Sequence, residues 1–197
     1  RKKYDRDFRH ILERATGLLS ICQYMSDEYL KMYGKTFYPF HNPVNLAEWQ
    51  IPNVDSKYPA DKTSILYVGK INDDTTPCLI DMCHVNAQGG SYVFDIYSPD
   101  HNEKLFLFEG NDDVHAYPPI AHEGIPQLMK SYSALFLPLG FSKQSRSYVR
   151  LSMPTKLSEY LACGKPIILY CPKEIALAKY LSDKNCAIMC NNNDENI

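Results

Sequence analysis

The sequence predicts an α/β fold built on a doubly wound parallel sheet. In the later two-thirds of the chain, short apolar segments alternate with helical ones, as in parallel sheets covered by helices. The stretch M-P-T-K-L-S-E-Y-L-A-C-G-K-P-I-I-L-Y, residues 153–170, shows one such unit. Its helix turns Leu157, Tyr160 and Leu161 onto one inward face and ends near Gly164, and an apolar, β-branched strand follows.

The other elements of this sheet follow from the same alternation. Strands are predicted at 65–68, 92–96, 114–117, 134–138, 166–170 and 187–189. Helices are predicted at 76–88, 124–132, 154–163 and 173–182, the third with Pro154 in its first turn. The segment Lys104–Glu109 fits either a hairpin or an extended crossover, and 49–62, rich in Pro, Asp and Asn, is predicted to be a loop.

The first part of the chain predicts a helix, a strand, a helix and a strand. The first helix ends at Gly17 and has one apolar face, formed by Tyr4, Phe8, Ile11, Leu12 and Ala15. A short strand at 18–20 leads into a second helix, for which Ser20 and Gln23 form a capping box and Gly34 the end. A second short strand is predicted at 37–40.

Composition and charge exclude several classes of function. A formal net charge of −2 gives no electrostatic reason to expect binding to nucleic acid. No run approaches the roughly 18 consecutive apolar residues of a membrane span, and a cytoplasmic protein is expected. The seven cysteines lack zinc spacing and are predicted to be buried, reduced thiols. The histidines form no metal pair, and His115 is predicted to be structural or exposed.

The segment P-T-K-L-S-E-Y-L-A-C-G-K-P-I-I resembles the donor-site helix and following strand of GT-B glycosyltransferases, in particular family 4. The resemblance implies that Glu159 hydrogen-bonds the ribose hydroxyls of a nucleotide sugar. It also implies that the helix N-terminus, with Thr155 and Lys156, faces the diphosphate. A carboxylate is a good acceptor for two vicinal hydroxyls. Without the resemblance, the sequence of the helix is equally consistent with Glu159 as a carboxylate exposed to solvent.

The resemblance extends in the same order to the start of the chain. The predicted helix, strand and second helix, followed by N-P-V-N at 42–45, resemble the end of the family's acceptor domain and its hinge. Residues 1–43 are therefore expected to be the end of an N-terminal acceptor domain with the hinge. Residues 44–197 are expected to be the nucleotide-sugar-binding C-terminal domain, truncated at its end. The implied fold is the Rossmann-like C-terminal half of a GT-B fold with a helix-strand-helix remnant before it.

The resemblance implies a hexosyltransferase that moves a sugar from a nucleoside diphosphate donor to a polysaccharide or lipid-linked glycan. It implies retention of anomeric configuration, no cofactor beyond the donor, no need for a metal held by a D-x-D motif, and contact with the inner face of the membrane through the first domain. The catalytic residues stay unknown, and this fragment is expected to bind nucleotide without turnover. Two alternatives remain open: a GT-B sugar-nucleotide epimerase, and a non-enzymatic α/β binding module.

Ligands of an open parallel sheet bind beyond the carboxyl ends of its strands, and three loops follow such ends. The first begins with Gly69 and Lys70, where the glycine lets the backbone approach a phosphate and the lysine supplies charge. This turn resembles the family's V-G-R turn; a surface lysine after a tight turn is the alternative. The family's second lysine is missing, with Thr75 and Thr76 in its place.

The second and third loops are predicted to border the base and the phosphates. Tyr117 and Pro118 form a stiff wall for stacking a nucleobase, unless Tyr117 belongs to the core. The long polar segment 139–155 leads into the helix, so Ser152 joins Thr155 and Lys156 as a candidate ligand of a phosphate. The family commonly has a second glutamate eight residues before the first, and this chain has Leu151 there.

Overall fold

A computed structural model describes residues 2–52, 54–87, 91–108 and 110–191 of the chain. The strands, in chain order, are β1 Leu19–Ser20, β2 Tyr38–Pro39, β3 Thr63–Val68, β4 Tyr92–Tyr97, β5 Val114–Tyr117, β6 Ala134–Pro138, β7 Ile167–Tyr170 and β8 Ile188–Cys190. The helices are α1 Lys2–Arg14, α2 Gln23–Tyr33, α3 Thr76–Ala87, α4 His101–Lys104, α5 Ile125–Lys130, α6 Lys143–Val149, α7 Lys156–Cys163 and α8 Ala176–Lys184.

The main sheet has six strands, all parallel, in the order β5-β4-β3-β6-β7-β8. This is the doubly wound order in which the chain starts at the centre, builds one half outward, and returns to build the other. The predicted fold class is therefore confirmed. The strand order reverses between β3 and β6, so the carboxyl ends of these two strands border the crevice in which such sheets bind ligands.

Apolar residues on both faces of the sheet explain why it is parallel and central. On one face, Leu66, Leu135 and Leu169 pack in the larger core cluster with residues of α5, α7 and α8. On the other face, Phe94 and Phe136 pack in a second cluster with residues of α3. Strands covered on both faces read as continuous apolar runs, which is the pattern from which they were predicted.

Helix α7 follows the predicted pattern with two differences. Leu157 and Tyr160 are buried, and Gly164 ends the helix in a left-handed conformation at φ 72°. Leu161, predicted to face inward, is 37% exposed. Pro154 precedes the helix and does not lie in its first turn, because the N-cap is Thr155.

Two predictions for the first part of the chain are wrong in detail. The first helix buries Leu12, but Ile11 is 61% exposed, so its apolar face is only partly covered. Ser20 does not cap α2, because its hydroxyl bonds with that of Ser26 at 2.6 Å, and Cys22 occupies the cap position without a side-chain bond. The predicted end of α2 at Gly34 is confirmed, at φ 66°.

Two loop predictions are also wrong, because both segments contain helices. The segment predicted as a hairpin or crossover forms α4 and a 3-10 turn at Leu105–Phe108, while Glu109 lies outside the described residues. The polar segment 139–155 contains α6, which Ser142 caps through the amide of Ser145 at 3.0 Å. The predicted end of α3, at 88–89, also lies outside the described residues.

Side chains of the first 50 residues pack directly against the sheet domain. The hydroxyl of Tyr24 donates to Asp183 at 2.5 Å, and Arg150 pairs with Glu28 at 3.0 Å. Trp49, the sole tryptophan, is buried in the larger core, and its carbonyl accepts from the ammonium of Lys130 at 2.6 Å. A division of the chain at residue 43 stays a prediction.

The cysteines mostly match their prediction. Five of the seven are buried, while Cys186 is exposed and Cys190 is partly exposed, and all seven are free thiols. Burial raises the pKa of the Cys78, Cys83 and Cys171 thiols to about 12. Within the described ranges, no helix is long and apolar enough to cross a bilayer.

Candidate functional site

The candidate site lies at the carboxyl edge of the sheet, where the strand order reverses. The loop after β3, the loop after β6 and the start of α7 meet there. The ammonium of Lys156 donates to the carbonyl of Val68 at 2.9 Å, which ties the first turn of α7 to the end of β3. Two of the predicted site residues, Gly69 and Lys156, are therefore neighbours.

Gly69 makes this approach of Lys156 feasible. A Cβ at this position would lie 2.5 Å from Lys156 Nζ and 3.0 Å from the Tyr67 hydroxyl. The backbone of Gly69 also continues the strand ladder, because its N–H donates to the carbonyl of Tyr97 at 3.0 Å. A side chain at residue 69 would therefore displace the cation from the edge of β3.

Lys156 is a partly exposed residue whose charged end lies in an enclosed position. Its Nζ is 4.8 Å from the centre of the Tyr67 ring. Burial lowers the pKa of Lys156 to about 8, and the nearby Glu159 carboxylate opposes the shift. Because the carbonyl of Val68 is its one hydrogen-bond acceptor among the described residues, the ammonium keeps donor capacity for an anion.

Lys70 supplies a second cation, on the loop after β3. Its carbonyl is fixed by two donors, the Tyr67 hydroxyl at 2.7 Å and the Thr75 hydroxyl at 3.1 Å. Its side chain is exposed and its ammonium makes no hydrogen bond or ion pair within the described part of the chain. The backbone is therefore held in place while the charge stays available to a ligand.

The loops after β3 and β6 are locked together. The hydroxyl of Ser145 bonds with the carboxylate of Asp74 and, at 2.6 Å, with the hydroxyl of Ser142. A Cβ on Gly140 would lie 2.9 Å from the carbonyl of Asp74, so only glycine fits this approach. Thr75 closes the turn by bonding Asn72.

The remaining candidates at α7 are less tightly held. Glu159 is half-buried and makes no hydrogen bond or ion pair in the described ranges. Thr155 is exposed, and the hydroxyl of Ser152 donates to the carbonyl of Tyr148 at 3.3 Å. Next to Glu159, the hydroxyl of Ser158 donates to the carbonyl of Asn42 at 2.5 Å. The stretch predicted to be the hinge therefore touches the helix of the candidate site.

Tyr117 and Pro118 lie at the same edge, two strands away from Gly69. Tyr117 pairs with Tyr97 in the ladder, and the two rings stack at 4.7 Å with 21° between their planes. Pro118 is exposed. Neighbouring strands are about 5 Å apart, so Tyr117 lies about 10 Å from the lysines across the strand ends.

Sequence reasoning missed a buried polar cluster behind this aromatic pair. The carboxylate of Asp95, on β4, is fully buried and accepts from Lys57 at 2.6 Å. His115, Tyr58 and Tyr132 also bond this carboxylate. A single aspartate inside the apolar run Y-V-F-D-I-Y was the available signal, because a charge within a parallel sheet requires partners.

The described residues offer no evident metal centre. No three His, Cys, Asp or Glu side chains among them converge as ligands would. The spacing D-x-D does occur at Asp5 and Asp7 of α1, where the two carboxylates pair with Arg9 and Arg6. These residues lie on the first helix, and within the described part of the chain they make no hydrogen bond or ion pair with the lysines of the candidate site.

Comparison with known proteins identifies the fold. No protein-family model matches the chain, and no curated protein matches it. Among solved structures, a glycosyltransferase from Rickettsia africae ESF-5 aligns with 98% of this chain and 54% of its own length, at a TM-score of 0.66 and 10% identity. WaaG, a glycosyltransferase involved in lipopolysaccharide biosynthesis, aligns with 89% of this chain and 49% of its own, at 0.61 and 16%.

A third similar structure contains ligands. A mutant of S. aureus TarM in complex with Fondaparinux, alpha-GlcNAc-glycerol and UDP aligns with 97% of this chain, at a TM-score of 0.63 and 12% identity. This chain spans 37% of the TarM structure, so it corresponds to about a third to a half of these proteins. At these identities the likeness concerns the fold, and the chain has the fold of a GT-B glycosyltransferase half.

Proposed function

We propose that the chain supplies the donor-binding site of a glycosyltransferase, which transfers a sugar from a nucleoside diphosphate to a glycan. The observation that carries the proposal is the ammonium of Lys156, held against Gly69 at the point where the strand order reverses. Open parallel sheets bind their ligands at this point. No carboxylate in the described ranges is bonded to this cation, which favours an anionic ligand such as a diphosphate.

The solved structures support the choice of ligand class. TarM was solved with UDP and a sugar linked to glycerol, and WaaG is named for a role in lipopolysaccharide biosynthesis. By analogy, we propose a nucleotide-sugar donor and a polysaccharide or lipid-linked acceptor for the whole protein. Residues 1–43 are, in this proposal, the end of an acceptor domain, and residues 44–197 form the donor domain.

The proposed mechanism is electrostatic. When the bond between the anomeric carbon and the diphosphate breaks, negative charge grows on the departing diphosphate. We assign Lys70 and Lys156 to stabilise this charge, together with Gly69, Ser152 and Thr155 as close neighbours of the phosphates. Transfer with retention, and without a metal held by D-x-D, is part of the proposal.

The nucleoside is assigned to the other residues of the candidate site. Glu159 accepts the two ribose hydroxyls, because its carboxylate is half-buried and makes no bond within the described chain. The base lies against Tyr117 and Pro118, two strands farther along the same edge. Phosphate and base are thereby separated by about the two strand spacings between β3 and β5.

Titration calorimetry with UDP, GDP, ADP and CMP tests the proposal. We expect saturable binding of one diphosphate, weakened at least about tenfold by Lys70→Ala or Glu159→Ala, since a charge-assisted hydrogen bond contributes about 1.5–3 kcal/mol. The Tm of both variants is expected to stay within about 2 °C of the parent, because neither side chain makes a hydrogen bond or ion pair within the described residues.

Lys165→Ala is the matched control. Lys165 precedes β7 and therefore lies at the amino edge of the sheet, opposite the candidate site. Its replacement is expected to leave nucleotide binding unchanged. If Lys70→Ala and Glu159→Ala bind nucleotide as the parent does, the site assignment is wrong. If the parent binds none of the four nucleotides, the donor-domain proposal fails.

A further inference from the structure

The buried carboxylate of Asp95 is bonded by four side chains from three separate parts of the chain. Lys57, from the loop before β3, donates to it at 2.6 Å, and His115 of β5 bonds it at 2.9 Å. The hydroxyls of Tyr58 and Tyr132 complete the set, the former at 2.9 and 3.0 Å. A fully buried carboxylate requires such compensation, but this one also fixes the position of an ammonium.

The ammonium of Lys57 lies within an aromatic enclosure. Its Nζ is 4.0 Å from the centre of the Tyr117 ring and between 5.4 and 5.6 Å from those of Tyr58, Tyr97 and Tyr132. Burial alone would lower the pKa of Lys57, but its bonds with Asp95 and Tyr117 outweigh burial and raise it. The cation therefore keeps its charge beside the Tyr117 ring.

Lys57 contacts both rings of this stack. Tyr97 stacks on Tyr117 at 4.7 Å, and Lys57 Nζ is 5.6 Å from the Tyr97 centre and 4.0 Å from the Tyr117 centre. The same ammonium donates to the Tyr97 hydroxyl at 3.4 Å. The cation that Asp95 holds therefore reaches both members of the aromatic pair.

We propose that Lys57 is a positioning residue for the donor's nucleobase: anchored on Asp95, it fixes the Tyr97–Tyr117 stack against which the base lies. The inference rests on the proposed donor site. It adds to that site two charged residues that do not touch the ligand. Because Lys57 and Asp95 already hold the two rings in place, stacking of a base against them orders no further side chain.

The proposal assigns Lys57 to binding of the base, and Lys70 and Lys156 to binding of the diphosphate. Binding experiments can measure these two contributions separately. Calorimetry compares inorganic pyrophosphate with UDP, GDP and ADP on the parent and on Lys57→Met. We expect Lys57→Met to weaken the tightest-binding nucleotide about tenfold, the scale of one base-stacking contact. Pyrophosphate affinity, which depends on Lys70 and Lys156, is expected to change less than about twofold.

Lys62→Met is the matched control. Lys62 also precedes β3 and also donates to a carboxylate at 2.6 Å, that of Asp113, but none of the described contacts joins it to Tyr97 or Tyr117. Its replacement is expected to leave both affinities unchanged. Lys57→Arg, which keeps the charge and can still pair with Asp95, is expected to recover most of the nucleotide affinity.

Each outcome separates this inference from the donor site itself. Equal nucleotide affinity in parent and Lys57→Met overturns the inference and leaves the donor site standing. Equal weakening of nucleotide and pyrophosphate also overturns it, because that pattern reports only general loosening. A parent that binds no nucleotide overturns both. If Lys57→Met does not fold, Lys57→Gln, whose amide can still donate to Asp95, is measured in its place with the same criteria.

Discussion

Two lysines at one end of the sheet show opposite ways of keeping a cation. Lys57 donates to the buried carboxylate of Asp95, and its pKa is raised. Lys156 donates to a backbone carbonyl, bonds no carboxylate among the residues that the structure describes, and burial lowers its pKa to about 8. Asp95 neutralises the charge of Lys57 within the fold, whereas the charge of Lys156 is bonded by no carboxylate of the described residues. Whether a carboxylate is bonded to the ammonium therefore distinguishes a structural ion pair from a ligand site better than burial alone does.

The largest effect is expected from breaking the neutralised pair. Asp95→Asn leaves the ammonium of Lys57 beside a neutral amide and four aromatic rings, at a cost of about 3 kcal/mol in the free energy of unfolding. Urea denaturation measures this cost. Asp113→Asn is the control, since its pair with Lys62 is half-exposed and is expected to contribute less than about 1 kcal/mol. Equal losses in both variants would remove the distinction between the two kinds of pair.

Removing the second cation is expected to change how stability depends on pH. Between pH 8 and 10.5, the unfolded chain keeps a proton on Lys156 that the folded chain has lost. The free energy of unfolding of the parent therefore rises with pH in this window relative to that of Lys156→Met, by about 2 kcal/mol between pH 8 and 10. Urea denaturation at several pH values gives the difference, in which effects of the cysteines and tyrosines common to both chains cancel.

The same titration sharpens the comparison through binding. A diphosphate favours the charged form of Lys156, so pyrophosphate affinity is expected to fall as the pH rises through 8. The Lys156→Met variant lacks this dependence. Parallel stability curves for parent and variant would mean that Lys156 has an ordinary pKa, and the contrast with Lys57 would then be lost.

A smaller loss is expected from Gly69→Ala, which acts on the approach of Lys156. The added Cβ meets the ammonium at 2.5 Å, so the lysine must move away from β3. We expect a loss of about 1 kcal/mol in the free energy of unfolding, and weaker binding of pyrophosphate. Gly17→Ala is the control, because a Cβ there meets nothing within 4 Å. A Gly69→Ala variant that binds pyrophosphate as the parent does contradicts the assignment of Gly69.

Local sequence patterns were sufficient for the sheet. The predicted bounds of β5 and β6 match the structure residue for residue. In β6, A-L-F-L-P is a short apolar run between polar turns and is buried at every position, as expected of a central parallel strand. Helix α6 was not predictable in this way. Its sequence, K-Q-S-R-S-Y-V, has almost no apolar face, and it is fixed by the Ser142 cap and the bond between Ser145 and Asp74.

The site could be predicted only where one segment carries it. Thr155, Lys156 and Glu159 were found together because they lie in a single recognisable helix. The partners of Asp95 come from positions 57, 58, 115 and 132, so their meeting depends on the register of β4 with β5 and on how the loop before β3 folds back. Such a cluster has no local pattern, and only the isolated aspartate hints at it.

The buried position of Trp49 makes the chain its own optical reporter. Because it is the sole tryptophan, all indole emission comes from the point where the first 50 residues meet the sheet domain. If those residues swing away from the domain, the indole becomes hydrated and its emission moves to longer wavelength while the circular dichroism of the sheet domain persists. Fluorescence and circular dichroism recorded on one sample therefore distinguish opening of this joint from unfolding of the domain.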